Sequence, residues 1–286
     1  MINVSVELNK LLIYRNILQD PLIALLPQSD WSNSEPGLKM SAGLIRRAEE
    51  LGLSGNLLAD YLIYLVAEDE NVFSSTVEKT GGHPGESLRR AAIQDVARIK
   101  ECVQASLQQS DLGVLLGDYR PTRLRDDAGF ASLRESFLEL GRKYTAEETT
   151  DLLVDYYVNH GYGELAKSAV LRWERGVGLV AVPGYERSRL TDIIGYERQK
   201  AALIRNTEAF VAGRAANNVL LAGARGTGKS SSVKALVNQY FQQGLRLVEV
   251  SKSELKQLPE LMNALRERGK KFLLFLDDLS FEEYEV

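Results

Sequence analysis

Apolar residues recur at helical spacing through most of the first 184 residues. The first predicted amphipathic helix breaks near Pro21 and has on one face Leu11, Leu12, Tyr14, Ile17 and Leu18. A second predicted helix is strongly apolar and carries Leu57, Leu58, Tyr61, Leu62 and Leu65. This second pattern runs too long for a strand, so a buried helix is favoured over a buried strand.

Loop and capping signals predict two further helices. The run 81–85 is a loop by composition, and the helix after it has an apolar face formed by Ala91, Ala92, Val96, Ile99, Val103 and Leu107. Thr145 and Glu148 fit a capping box that opens a helix through Tyr157. Residues 1–184 are therefore predicted to form a mostly α-helical N-terminal domain, whose role the sequence does not reveal.

One short pattern in this region formally matches a dinucleotide-binding fingerprint. Gly161, Gly163 and Ala166 fit G-x-G-x-x-A. The fingerprint needs a preceding strand and, about 20 residues later, an acidic residue that ends a strand. The segment before Gly161 has helical spacing, and the acidic residue is missing. We therefore interpret the pattern as a turn between two helices.

From residue 185 the pattern changes to alternating strand-like and helical segments. Short apolar runs predict strands at 219–222, 245–250 and 272–276. The helix after the first strand has on one face Val233, Leu236, Val237, Tyr240 and Phe241. Alternating strands and helices are typical of a parallel sheet covered on both faces. Residues 185–286 are therefore predicted to form an α/β domain.

The loop between the first of these strands and its helix has the chemistry of a phosphate site. It fits the Walker A pattern G-x-x-x-x-G-K-[ST] with Gly223, Ala224, Arg225, Gly226, Thr227, Gly228, Lys229 and Ser230. Glycines let successive backbone N–H groups point at phosphate oxygens, and the following helix adds its N-terminal N–H groups and its dipole. Lys229 is predicted to reach the outer phosphates and the Ser230 hydroxyl to bind Mg²⁺. The pattern predicts nucleotide binding.

Two aspartates follow the third predicted strand. A buried parallel strand that delivers an acid to the edge of the sheet beside the phosphates is a Walker B pattern. Asp277 is predicted to hold Mg²⁺, through water or through Ser230, and Asp278 to polarise an attacking water. The alternative is a solvated acidic strand end, since further glutamates follow. The apolar strand and the preceding phosphate loop favour the Walker B interpretation.

Composition and charge limit the class of protein. Apolar residues make up 44% and charged residues 26% of the 286 residues, which is typical of a folded, soluble protein. The net charge is −4, and neither half is basic enough to indicate nucleic-acid binding. Cys102 is the only cysteine, which favours a reducing cytoplasmic setting. The longest apolar run, 61–67, is far short of the roughly 20 residues that span a membrane.

At these residues the chain resembles the AAA+ ATPases. Segment 190–195 is similar to the family segment whose main chain and aliphatic side chain contact adenine, so the resemblance implies that Ile193, Ile194 and Gly195 flank the base. More specifically, the chain resembles a bacterial AAA+ family catalogued as domain of unknown function 815. That likeness covers roughly residues 155–286 and rests on segments 161–163, 172–173, 217–221, 223–231, 244–250 and 276–282. It implies ATP and Mg²⁺ as ligands, with Ser231 included in the phosphate loop.

The resemblance implies a P-loop NTPase fold of AAA+ type, with a parallel sheet flanked by helices. Two departures qualify it. Asp278 stands where most AAA+ proteins have glutamate, so hydrolysis is expected to be slow or to need a water relay. The family core has five parallel strands, and only three are predicted here. The strand between the P-loop and Walker B strands, sensor 1, the arginine finger and the lid come later in the family, so the fold is expected to be incomplete.

Three functions remain open at this point. The first is an ATP-binding AAA+ module that hydrolyses ATP in the full-length protein and couples this to an unidentified remodelling or regulatory task. The second is a nucleotide-dependent switch or adaptor with little turnover, which Asp278 favours. The third is a kinase or other P-loop transferase, which the Ile193–Ile194 segment upstream of the loop disfavours. The expected partners are ATP, an unidentified protein and further copies of the chain.

Overall fold

A computed structural model describes residues 2–28, 34–108, 116–139, 143–182 and 188–277 of the chain. The chain divides into two compact units, Met1–Tyr157 and Val158–Val286. The sequence placed a domain boundary after residue 184, whereas this division falls after Tyr157. The segment between the two positions contains strands that pair within the second unit.

The described part of the first unit is helical. Its α-helices are α1 (Val4–Leu8), α2 (Glu35–Leu51), α3 (Leu57–Glu68), α4 (Val72–Thr80), α5 (Glu86–Leu107), α6 (Ala128–Leu138) and α7 (Ala146–Asn159), the last of which ends two residues past Tyr157. Two 3₁₀ helices span Arg15–Gln19 and Ile23–Gln28. The predicted loop at 81–85 lies between α4 and α5.

Among the described helices of this unit, α3 is the most buried, as its apolar pattern predicts. Every residue of α3 except Leu65 is buried. One of them is Asp60, which forms an ion pair with Arg134 and accepts the Ser54 N–H at 2.9 Å. The predicted capping box before α7 is confirmed, because Thr145 and Glu148 exchange side chain-to-backbone hydrogen bonds of 2.7 and 3.1 Å.

The predicted helix over residues 11–18 is wrong. Residues 11–14 are not helical, and a 3₁₀ helix begins only at Arg15. The buried carboxylate of Asp95 accepts the backbone N–H groups of Leu12, Ile13 and Tyr14 at 2.6–3.2 Å. These donors therefore bond to a side chain of α5 instead of to carbonyls of their own helix.

The second unit contains a four-stranded mixed sheet in the order β2-β1-β3-β4. Its strands are β1 (Val170–Glu174), β2 (Gly178–Ala181), β3 (Leu245–Val250) and β4 (Lys271–Leu276). Strand β1 is antiparallel to β2 and parallel to β3, which in turn is parallel to β4. The described helices are α8 (Glu164–Lys167), α9 (Glu197–Val211), α10 (Lys229–Tyr240) and α11 (Leu258–Arg266), with 3₁₀ helices at Leu190–Asp192, Phe241–Gln243 and Lys252–Gln257.

Both faces of the sheet are covered, as the continuous apolar strands predict. On one face, Val248 and Val250 pack with Leu261 and Leu265 of α11. On the other face, residues of β3 and β1 pack with α10 in a cluster formed by Val170, Leu245, Leu247, Leu236, Val237 and Tyr240. The second unit is thus an α/β unit, and the face with α10 carries the helix that begins at the predicted phosphate loop.

The strands of the structure differ from the predicted ones in two respects. First, β1 and β2 were not predicted, because they are only five and four residues long and follow a long helical region. The strand predicted at 219–222 is wrong, since this segment is irregular, with Val219 51% and Leu220 88% exposed. No described strand pairs with it, and an apolar run without a neighbouring strand has no ladder to join.

None of the described helices combines the length and the apolar character that a membrane crossing requires.

Candidate functional site

The predicted phosphate loop is a turn that leads directly into α10. Gly226 and Gly228 have φ values of 81° and 80°, in the left-handed region that other residues adopt only with strain. Gly228 is the N-cap of α10, and Lys229 and Ser230 are its first two residues. The local sequence therefore explains the geometry, because glycine is needed where the chain reverses and the helix begins immediately afterwards.

The side chain of Lys229 folds back over this loop. Its Nζ atom donates hydrogen bonds to the carbonyl oxygens of Gly223 at 3.0 Å and Ala224 at 2.9 Å. The Thr227 hydroxyl donates to the same Ala224 oxygen at 2.9 Å. The loop is thus closed by its own side chains, and the ammonium group lies against the carbonyl oxygens of its first two residues. An anion that enters the loop would meet this charge together with the N-terminal N–H groups of α10.

Ser230 and Asp277 meet although 47 residues separate them. The Ser230 hydroxyl lies 3.1 and 3.0 Å from the two carboxylate oxygens of Asp277. Ser230 lies in the first turn of α10, and Asp277 directly follows β4. The structure therefore joins the end of the predicted Walker B strand to the start of the helix that follows the predicted phosphate loop. The metal-binding role of both residues stays a prediction.

The oxygen atoms at this junction fit a magnesium ion by their chemistry. Mg²⁺ prefers oxygen ligands and keeps several waters, so one carboxylate, a hydroxyl and substrate phosphates suffice. No group of three or more His, Cys, Asp or Glu side chains suited to a metal occurs among the described residues. A metal at Ser230 and Asp277 would take water and the phosphate oxygens of a nucleotide as further ligands.

The predicted adenine segment approaches the phosphate loop at one residue. A β-carbon placed on Gly228 would lie 3.3 Å from Cγ2 of Ile193, so these two residues are in close contact. Ile194 is 92% exposed, and Gly195 has a φ of 79° with open space around its α-carbon. The structure therefore brings Ile193 to the loop and leaves Ile194 accessible to a ligand.

The other predicted site residues differ in position. Gly223, Ala224, Arg225, Gly226 and Ser231 are exposed, and Thr227 is half-buried. Asp278 lies outside the described residues. The predicted turn at Gly161 and Gly163 is confirmed, because it joins α7 to α8.

Helix α9 is hydrogen-bonded to segments before and after the phosphate loop. These contacts were not predicted from the sequence. The side chain of Asn206 exchanges two 2.9 Å hydrogen bonds with the backbone of Asn217, and Lys271 of β4 donates to the Val211 carbonyl. The Tyr240 hydroxyl donates to Glu208 at 3.2 Å. The pKa of Tyr240 is raised, mainly by burial and secondly by this carboxylate. An exposed polar pair such as Asn206 and Asn217 has no periodic signal by which it could be found.

Comparison with known proteins identifies a family for this part of the chain. Residues 166–286 match a family described as "Protein of unknown function (DUF815)". The match begins inside α8 and includes all four strands, the phosphate loop and Asp277. None of the curated proteins and none of the solved structures matches the chain. Over residues 166–286, less than half of its length, the chain is similar to this family.

Proposed function

We propose that the second unit binds ATP with Mg²⁺ and is a P-loop NTPase module of the AAA+ class. The observation that carries this proposal is the hydrogen bond between Ser230 and Asp277. It places a hydroxyl and a carboxylate together beside a glycine loop that opens a helix, and P-loop NTPases hold Mg²⁺ with the same two residue types.

The assigned roles follow from position and charge. Backbone N–H groups of residues 223–231 would surround the phosphates, and Lys229 would exchange its two carbonyl partners for phosphate oxygens. Mg²⁺ would supply positive charge at the outer phosphates and be held by Ser230 and Asp277. Ile193, Ile194 and Gly195 would border the base.

We further propose that the full-length protein hydrolyses ATP and uses this to drive a remodelling or regulatory task. Asp278 would polarise the attacking water as a general base. A nucleotide-dependent switch with little turnover is the second candidate, because aspartate is one methylene shorter than the glutamate that most AAA+ proteins carry at this position. We also propose that copies of the protein assemble through their AAA+ modules and that the protein has an unidentified protein partner. The proposed location is the cytoplasm.

Lys229→Ala tests the core of the proposal. Labelled ATP should bind to the wild-type protein and fail to bind to Lys229→Ala, because the variant lacks the charge that Lys229 brings to the loop. Lys234→Ala is the matched control, since Lys234 lies on the same helix and pairs instead with Glu249 at 2.9 Å. ATP binding by Lys229→Ala at wild-type affinity would contradict the P-loop assignment. Phosphate release by the wild type is then measured, because an ATPase releases phosphate and a nucleotide-dependent switch shows little turnover.

A further inference from the structure

Lys200 occupies an unfavourable place that calls for an explanation. It lies in the first turn of α9, where the helix dipole disfavours a positive charge, and its side chain is only 12% exposed. Ordering a lysine side chain also costs conformational entropy. Its Nζ atom donates a 2.9 Å hydrogen bond to the carbonyl oxygen of Ile193 and lies 2.8 Å from Glu197 Oε1.

The backbone between Ile193 and Lys200 is strained at Tyr196. Gly195 and Tyr196 are both left-handed, with φ values of 79° and 60°. Tyr196 is the only non-glycine residue with a positive φ among the described residues, a conformation that costs about 1 kcal/mol. This reversal accompanies the return of the Ile193 carbonyl to the first turn of α9, where Lys200 binds it.

The same isoleucine connects Lys200 to the phosphate loop. The side chain of Ile193 contacts Gly228, and Gly228 is followed directly by Lys229 at the start of α10. A continuous path of contacts thus runs from Lys200 through Ile193 to the residue that precedes the phosphate-binding lysine. Moving Ile193 would disturb the base side of the site before the phosphate side, because Lys229 and Thr227 hold the loop independently.

We propose that Lys200 is a positioning residue for the nucleotide base. By holding the Ile193 carbonyl, it keeps Ile193 against the phosphate loop and presents the exposed Ile194 side chain to the base. Since Lys200 already engages the Ile193 oxygen, recognition of the base falls to Ile194 and to neighbouring backbone groups. Lys200 itself does not contact the nucleotide. The inference rests on the proposed ATP site and names what determines base affinity there.

Two ligands separate the base side from the phosphate side. ATP carries both parts, and inorganic tripolyphosphate carries the phosphates alone. For Lys200→Met we expect ATP affinity to fall about tenfold, the scale of one lost hydrogen bond to a charged group, with tripolyphosphate affinity unchanged. Lys200→Arg keeps a cationic donor and should restore most of the ATP affinity. Lys234→Met, which removes a lysine from α10 and its ion pair with Glu249, should change neither affinity.

The outcomes distinguish this inference from the proposed function. If the wild-type protein binds neither ligand, the proposed function fails and the inference with it. If the wild type binds both, and Lys200→Met weakens both equally or neither, the role of Lys200 is refuted while the ATP site stands. Retained tripolyphosphate binding shows that the variant is folded. Should Lys200→Met not fold, Lys200→Gln, a good helix former, takes its place with the same expected result.

Discussion

The hydroxyl of Ser230 contacts both oxygens of the Asp277 carboxylate, and the two residues lie 47 positions apart in the chain. Strand β4 ends where helix α10 begins, because both pack in the same sheet unit, with Leu273 and Phe275 of β4 against the cluster that contains α10. The position of this pair therefore follows from the packing of the sheet.

We predict that Ser230→Ala and Asp277→Asn each remove most of the benefit that Mg²⁺ gives to ATP binding. Ser230→Ala deletes the hydroxyl ligand, and Asp277→Asn removes the negative charge and one of the two oxygens of the carboxylate. The measurement is the ATP dissociation constant with Mg²⁺ and with EDTA, which should differ in the wild type and converge in the variants. Glu260→Gln neutralises an exposed carboxylate of α11 and should behave as the wild type. An unchanged Mg²⁺ effect in both variants would place the metal elsewhere.

The neighbouring aspartate should affect turnover instead. For Asp278→Asn we predict nearly unchanged ATP affinity and hydrolysis slower by about 10²-fold or more, the scale of losing a general base. Binding and phosphate release are measured on the same full-length preparation. Normal hydrolysis by both Asp277→Asn and Asp278→Asn would show that a different residue polarises the water.

Asp69 in the first unit should make stability depend on pH. Burial, only partly offset by hydrogen bonds from Asn71 and Asn16, raises the pKa of Asp69 to about 6. The folded state therefore holds this proton more tightly than the unfolded chain. Stability should fall as the pH rises from about 4 to about 6, by on the order of 2–3 kcal/mol, because the carboxyl ionises earlier in the unfolded state.

The Asp69→Asn variant isolates this effect. Its free energy of unfolding, measured by urea titration, should exceed that of the wild type above pH 6 and approach it near pH 4. Glu86→Gln is the control, since Glu86 is exposed at the start of α5 and should change the pH profile little. A constant difference between Asp69→Asn and the wild type across this range would exclude Asp69 as the source.

Arg246 should be the most costly arginine to replace in the second unit. It is fully buried, and its guanidinium donates to carbonyl oxygens of Leu165, Phe241 and Leu245 at 2.9–3.0 Å and to that of His160. Arg246→Met would leave these buried acceptors without their donor, at a cost of about 3–5 kcal/mol. Arg172→Met should cost less than about 0.5 kcal/mol, because Arg172 is exposed on β1. Equal thermal stabilities would contradict this assignment.

The sequence predicted those parts of the fold that depend on local signals. The glycine loop, the start of α10 and strands β3 and β4 are of this kind, since apolar runs and glycines define them along the chain. The meeting of Ser230 and Asp277 was expected as well, but from two parallel strands that end at one edge, and of these two the structure has only β4, since segment 219–222 is irregular.

Features that depend on distant partners could not be predicted. The segment 11–14 has a helical pattern, yet a carboxylate of α5 takes its N–H groups. The segment 219–222 has a strand-like pattern, yet no described strand pairs with it. Lys200 gave no signal, because a lysine near a helix start is ordinary in sequence and becomes informative only when its carbonyl partner is known.

The pairing of β1 with β3 has a consequence for the order of folding. Val170 pairs with Leu247 across 77 residues, whereas Leu245 pairs with Lys271 across 26. Closing a loop about three times longer costs roughly 1 kcal/mol more in chain entropy, so we expect β3 and β4 to associate before β1 joins them. In a pulsed hydrogen-exchange experiment, the amide of Val248, which pairs with Leu274 of β4, should become protected earlier than the amides of β1. Lys200, Gly228 and Ser230 lie in the chain segment between β1 and β3. This segment therefore becomes a closed loop only when β1 pairs with β3, after β3 has paired with β4.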